Sequence, residues 1–522
     1  MDTQISVQPL GGVAGYSTGS CIFLAIRQGR RKTNILLDLG LIQGNSKDSA
    51  ERNREILSWL TPGYVDAVVL THSHVDHIGR LPLLVKNGFN KQGRIFCTEA
   101  TSRLLRVMLE DSAKIQISET SRLKAKMARE KKENSWIRKI GRDKMSLGNY
   151  DRKRRKGKYL KAKAVVCEPL YTMEDVEKTC GLVKNDGFEY REWIRLDNGV
   201  NLKFYPSGHV LGGAICAIRV KTKTGDVHLG FSGDLGREDG IILPPPELPD
   251  ELIDRWFTES TYGGKIHPPR KEEIERLLGL IKEAMRAKKK IIIPSFALER
   301  AQEIIYLFLL YMQNGTIPPI PIYLDSPMAA KITDVFAASW REGMFSDQAN
   351  LNFNPFDPKE NPFFRIITDP VASAKLVKTP GPYIVIAGSG MCDAGRVREH
   401  LRFGLGNRKT IVCLVGYMAE NSLGRKLKNG LPIVRMNGED IVVKAQIVSF
   451  DSFSAHADGR FLSSSAKSIM AKNSDERAKI FIVHGEEEGA AALKMELMKI
   501  LPGKNWLKKI IIPKLGEEIK LY

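Results

Sequence analysis

The sequence predicts an α/β protein of two domains, the first formed by both ends of the chain and the second inserted between them. Three observations lead to this. The chain has 522 residues, more than a single hydrophobic core usually organises. Its beginning and its end alternate short β-rich runs with Gly-rich turns. Its middle, from about residue 262 to about residue 440, changes to a strand–helix–strand rhythm.

Taken in order, ISVQPLGG, SCIFLAIRQG and KTNILLDLG read as strands parted by tight turns. VDAVVLTHSH is an apolar strand with polar residues at its far end. GRIFCTEA is a further strand, and TSRLLRVMLEDSA carries the apolar spacing of a helix. MEDVEKTC is helical. A strand series then runs from WIRLDNGVNLKFYPSGHV to DVHLGFSGDLG, with a hairpin turn in KTKTGDVH. In the middle, KKIIIPSF, LERAQEIIYLFLLYM and IPIYLDSP make one strand–helix–strand unit, and PYIVIAGSG, AGRVREHLRF and TIVCLVGY make another. That pattern belongs to a parallel sheet with loops at its strand ends. From KAQIVSFDSFSAHAD through KIFIVHGE to IIIPKLGEEIKLY the texture of the opening returns. The expected division is 1–262, 263–440 and 441–522, the outer segments sharing one domain.

With 43% hydrophobic and 27% charged residues, the composition is that of an ordinary globular protein. No run approaches the ~18 apolar residues of a membrane span. The start, MDTQISVQPLGG, lacks the basic and apolar regions of a secretory leader. Seven cysteines, odd in number and without a C-x-x-C pair, point to reduced thiols and a cytoplasmic setting. The formal charge of +20 is concentrated: between Arg122 and Lys163, 18 Lys or Arg stand against four acids, a net +14. Within that stretch Arg152, Lys153, Arg154, Arg155 and Lys156 lie between Tyr150 and Tyr159, with Trp136 upstream. Cations that grip phosphates and rings that stack on unpaired bases suit single-stranded RNA. The alternative is a solvated loop that contacts nothing.

The residues that carry chemistry start in LTHSHVDHIG, where His72, His74, Asp76 and His77 crowd into six positions of a chain with nine histidines. At a strand end, positions i and i+2 face the same way and suit one metal ion. The tight loop that follows can turn Asp76 and His77 towards a second. Imidazole and carboxylate donors suit zinc, with manganese or iron as alternatives. Downstream, His209 in YPSGHVLGG, Asp234 in FSGDLG, His456 in FSAHAD and His484 in IVHGE each follow an apolar run and sit beside small residues. A loop that closely approaches an ion requires such neighbours. His228, His267 and His400 have no such pairing and stay outside the expected site, His228 as a strand-face residue. In AGSGM, Ser389 and Gly390 stand between a strand and a helix-like run, a place where amides meet phosphate, with Arg396 a turn further on. The alternative is a tight turn made by Gly388 and Gly390. PSFALER, with Ser295 and Arg300, is a weaker candidate, and Glu299 and Arg300 are expected to pair with neighbours across the helix start.

The order LLDLG, THSHVDHIG, SGHVLGG, FSGDLG resembles the metallo-β-lactamase superfamily. TESTYGG, SFSAHAD and VHGE resemble the three extra motifs of its β-CASP branch, whose members process nucleic acids. IIIPSFALERAQEI, IYLDSPMA and AGSGMCDAGRVREHL resemble the body of the inserted domain. The likeness covers nearly the whole chain except residues 122–163, which look like an insertion, and it points towards bacterial and archaeal relatives of the cleavage and polyadenylation endonuclease subunit. The resemblance implies an αββα metallo-β-lactamase sandwich with an inserted parallel α/β β-CASP domain. It further implies two Zn2+ ions, with Mn2+ as the alternative. His72, His74 and His209 would hold one, Asp76, His77 and His484 the other, with Asp234 bridging and Asp38 orienting the cluster from behind. A shared water would attack an RNA phosphodiester, and His456, held by Glu259, would protonate the departing 3′ oxygen, leaving 5′-phosphate and 3′-hydroxyl ends. Histidine at 484 is similar to RNA-acting members, whereas DNA-acting ones usually carry valine. The competing expectations are a small-molecule hydrolase of the superfamily, a DNA nuclease of this branch, and a silent scaffold. The pattern begins almost at Met1 and 38 residues follow His484, so neither a KH-type module nor a long assembly domain is expected. A homodimer is compatible with the family.

Overall fold

Alternation builds the first sheet. In strand Thr3–Val13, Ile5 and Val7 are buried while Gln4 is exposed, and the strand pairs antiparallel with Tyr16–Gln28, which pairs antiparallel with Arg31–Leu37. Ala67–Val69 and Ile95–Phe96 continue the sheet in parallel, and every residue of both is buried, as expected of strands covered on both faces. The last strand of the chain, Ile519–Lys520, pairs antiparallel with Ser6 and Val7, so the end of the polypeptide returns to its beginning.

The computed structural model describes residues 3–43, 47–91, 94–140, 168–347, 349, 351–473, 478–501 and 506–522. The chain divides into two units, one of Met1–Cys97, Leu105–Phe188 and Pro513–Tyr522, the other of Thr98–Leu104 and Glu189–Ile512. The first unit holds the sheet just described. The second holds a seven-stranded mixed sheet and a six-stranded parallel one.

In the mixed sheet, Ile194–Asp197, Val200–Pro206, Ala214–Thr222 and Gly225–Phe231 form an antiparallel series. The hairpin expected in KTKTGDVH closes with Thr222 opposite Gly225. Arg255–Thr258, Lys479–Ile482 and Ile510–Ile511 then add in parallel. The parallel sheet takes Lys290–Pro294, Ile322–Leu324, Phe364–Ile366, Tyr383–Ala387, Thr410–Leu414 and Gln446–Ser449. Its central strands are buried at every position. Leu401 and Leu405 pack with Ile292, Val385 and Val412 in its core.

Two features differ from expectation. The insertion was expected to end at about residue 440, yet Gln446–Ser449 pairs with Ile411–Leu414 as the edge of the parallel sheet. An edge strand is only half-buried, and this one is intermediate at all four positions, which gives it the texture of the outer strands. The helix of TSRLLRVMLEDSA runs on through the first half of the basic stretch, from Glu99 to Ile140. Leu105, Met108, Leu109 and Ala113 are buried. Beyond them the helix is carried by Lys, Arg, Glu and Ala without a Gly or Pro, all good helix formers. The described cysteines are free thiols, and Cys167 lies outside the described residues. Among the described residues no helix is long and apolar enough to cross a membrane.

Candidate metal centre

In the first unit, strand Ala67–Val69 leads into Thr71–His77. His72 and His77 are each 1% exposed, and His74 and Asp76 are partly buried. His72 Nε2 faces His74 Nδ1 at 3.1 Å. His74 begins the short helix Val75–Ile78, which carries Asp76 in its first turn. Asp38 lies beneath. One of its carboxylate oxygens accepts Thr71 N–H at 2.8 Å, and the other accepts the Thr71 hydroxyl at 2.8 Å and His77 Nδ1 at 2.7 Å. With Nδ1–H donated to Asp38, the Nε2 of His77 is the nitrogen left to act as a ligand. Asp38 does this from φ 58°, held by its own N–H to Val69. Gly40 permits the approach, since a Cβ there would fall 1.4 Å from the Asp76 carbonyl oxygen.

In the second unit, five strand-end loops meet. Asp234, 3% exposed, lies 3.6 Å from His209 Nε2 and 3.3 Å from His484 Nδ1. Thr261 Oγ1 is also 3.3 Å from His484 Nδ1. His456 lies beside His209, ring centroids 4.3 Å apart and planes tilted by 45°, and its Nδ1 is 3.3 Å from Glu259. Glu259 is fully buried and accepts the N–H groups of Leu235 at 2.8 Å and Thr261 at 3.1 Å. A carboxylate satisfied in this way is fixed in position. The His456 side chain that it holds is 22% exposed. Gly236 brings the Asp234 loop against the His209 loop, because a Cβ there would sit 1.9 Å from Gly208 O.

Both sets combine imidazoles and carboxylates at short range with no thiolate, the donor chemistry of a metal-binding site. Facing imidazole nitrogens and a carboxylate between two buried imidazoles fit a divalent cation.

His267 was expected to lie apart. Its Nε2 instead donates to the His456 carbonyl at 3.1 Å, and burial, helped by Arg237, lowers its pKa to about 4, so it stays neutral. No local pattern announced this, since His267 and His456 are far apart in sequence. His228 is a strand residue, as expected. His400 is fully buried and bonds Asp325 at 2.7 Å, with Ser373 and Arg396 on the same carboxylate.

Of the expected RNA contacts, Ser389 closes a turn: its N–H donates to Ala394 O and its hydroxyl accepts Ala394 N–H. Gly390 lies under the Phe296 ring. Arg396 donates to Asp325 at 2.7 Å and to the Ile367 and Thr368 carbonyls. Arg152, Lys153, Arg154, Arg155 and Lys156 lie outside the described residues, as do Tyr150 and Tyr159.

Family models match three stretches: a metallo-beta-lactamase superfamily domain over residues 29–227, a Beta-Casp domain over 301–427 and a Zn-dependent metallo-hydrolase RNA specificity domain over 440–513. The chain is 33% identical over 486 residues to "Ribonuclease TTHA0252" of Thermus thermophilus, covering 92% of this chain and 94% of that protein. It is 28% identical to "Cleavage and polyadenylation specificity factor subunit 3-I" of Arabidopsis thaliana, over 99% of this chain and 64% of that protein. It is likewise 28% identical to "Transcription termination factor FttA" of Methanocaldococcus jannaschii, over 93% and 68%.

Proposed function

The chain belongs to the β-CASP ribonucleases of the metallo-β-lactamase superfamily, and from that premise we propose that it cleaves RNA with water activated at a two-zinc centre. It is a metal-dependent enzyme that hydrolyses RNA phosphodiester bonds. The observation that carries the finer reading is the arrangement of donors, His72 against His74 and Asp234 between His209 and His484.

His72, His74 and His209 would hold one ion and Asp76, His77 and His484 the other, with Asp234 shared between them. When bound, two such ions supply acidified water and positive charge against the phosphoryl oxygens. Asp38 keeps His77 in the tautomer that ligates. His456, doubly protonated and held through Nδ1–H by Glu259, would give its Nε2 proton to the departing 3′ oxygen, and His267 anchors the His456 backbone. Water attack at phosphorus with loss of the 3′ oxygen gives 5′-phosphate and 3′-hydroxyl ends. At the Gly388–Gly390 turn, the Ser389 hydroxyl accepts from Ala394 and would offer its own proton to an RNA phosphate, while Arg396 is engaged by Asp325 and by the Ile367 and Thr368 carbonyls. A cytoplasmic setting and a homodimer belong to the same proposal, on the free thiols and the family respectively.

Denaturing gels of 5′- and 3′-labelled RNA, linear and circular, test the reading. Metal-dependent cuts with 5′-phosphate ends support it, and cleavage of the circle identifies endonuclease action. RNA left intact by the zinc-loaded protein would refute it.

The basic segment is proposed as an RNA grip. Deleting residues 122–163 is expected to weaken RNA binding and flatten its dependence on salt, because fewer counterions are released, while bound metal is unchanged. A deletion variant that keeps the parent's affinity at both low and high salt would show that the segment contacts nothing.

A further inference from the structure

Glu299 occupies a backbone position that disfavours it. Its φ of 68° and ψ of −59° form a left-handed γ-turn, closed by Arg300 N–H on the Leu298 carbonyl at 2.9 Å. A side chain there is strained, whereas glycine would not be. Glu299 precedes helix Arg300–Gln313 but its side chain caps no N–H of that helix. Arg300 pairs with Glu303 across the helix start, as expected. Glu299 does not. Its carboxyl group, 2% exposed and pushed well above the usual carboxylate range by burial and then by Glu303, turns away and accepts the N–H of Leu211 at 2.9 Å.

Leu211 lies two residues beyond His209. Its loop contains Gly208 at φ 67° and Gly212 at φ 80° and therefore depends on outside bonds for its shape. Thr98 and Thr101 donate their hydroxyls to the Gly212 carbonyl at 2.6 and 2.8 Å. Ser207 N–H closes the loop on Gly213 at 2.9 Å. Glu299 supplies a bond on the N–H side of the same loop, from the strand-to-helix turn that follows Lys290–Pro294. Local strain kept beside a functional loop is informative, because surrounding structure must maintain it against relaxation.

We propose that Glu299 is a positioning residue, holding the His209 loop in its ligating shape from within the inserted parallel-sheet domain. This rests on the assignment of His209 as a metal ligand. A residue acting through a ligand's loop tunes affinity as partners behind metal ligands do.

The test is zinc affinity of the apoprotein, measured in competition with a chromophoric chelator, with thermal melting alongside. Glu299→Gly is expected to melt no lower than the parent, since relief of the turn offsets the lost bond, and to bind zinc about tenfold more weakly. Glu299→Gln, whose amide oxygen still accepts Leu211 N–H, is expected to stay within about twofold of the parent. Parent-like affinity in Glu299→Gly overturns the proposal, whether its melting temperature falls or not. Equal loss in both variants also overturns it, assigning the effect to charge and not to the bond. A Glu299→Gly chain that fails to fold contradicts the strain on which the proposal stands. Failure of the His209 assignment is separately visible: His209→Ala would then bind zinc as tightly as the parent, and the proposal would go with it.

Discussion

Asparagine in place of Asp234 is expected to leave a folded protein that holds fewer than two metal ions per chain and cleaves RNA on the order of a thousandfold more slowly. Asn has the shape of Asp, so packing at a position 3% exposed is preserved. It lacks the charge that lies 3.6 Å from His209 and 3.3 Å from His484. Metal ions in such a site contribute several kcal/mol of transition-state stabilisation, and about 4 kcal/mol corresponds to a thousandfold in rate. Metal content by mass spectrometry and single-turnover cleavage check the two halves separately. A variant with both ions and parental speed would remove Asp234 from the centre.

The second large effect is at His456, and it should separate from the first. Alanine there is expected to slow cleavage by about 10²–10⁴-fold, the range of general-acid contributions, with metal content unchanged, because His456 lies outside the proposed ligands. The distinction rests on Glu259, whose Oε1, 3.3 Å from His456 Nδ1, favours the protonated ring that can donate through Nε2. An RNA with a 3′-sulfur at the scissile bond offers a leaving group that needs no proton. With that substrate the deficit of His456→Ala should shrink. A deficit of equal size on both substrates would mean that His456 does something other than protonate the leaving atom.

How much of this was legible in the chain depends on the range over which each feature is encoded. Crowding of His72, His74, Asp76 and His77 is local, although the strand ends at Val69 and a short helix, Val75–Ile78, carries Asp76 and His77. The hairpin at Thr222–Gly225 and the buried strands of the parallel sheet are local in the same sense. The hold of Glu299 on Leu211 joins residues 88 positions apart; no periodicity records such a bond, and the sequence pointed to the helix start instead. His267 was similarly hidden, its bond to the His456 carbonyl spanning 189 positions. The extension of the helix to Ile140 could have been found from propensity, but the charge of the segment suggested a loop. Gln446–Ser449, beyond the expected boundary at about residue 440, pairs at the edge of the parallel sheet, and its half-burial is a pattern that edge strands and outer strands share.

Diffraction at the zinc absorption edge from crystals of the zinc-loaded protein tests the centre most directly. Two anomalous peaks are predicted, one against His72, His74 and His209 and one against Asp76, His77 and His484, with Asp234 touching both. A single peak, or peaks lying away from these side chains, would contradict a two-ion centre built from them.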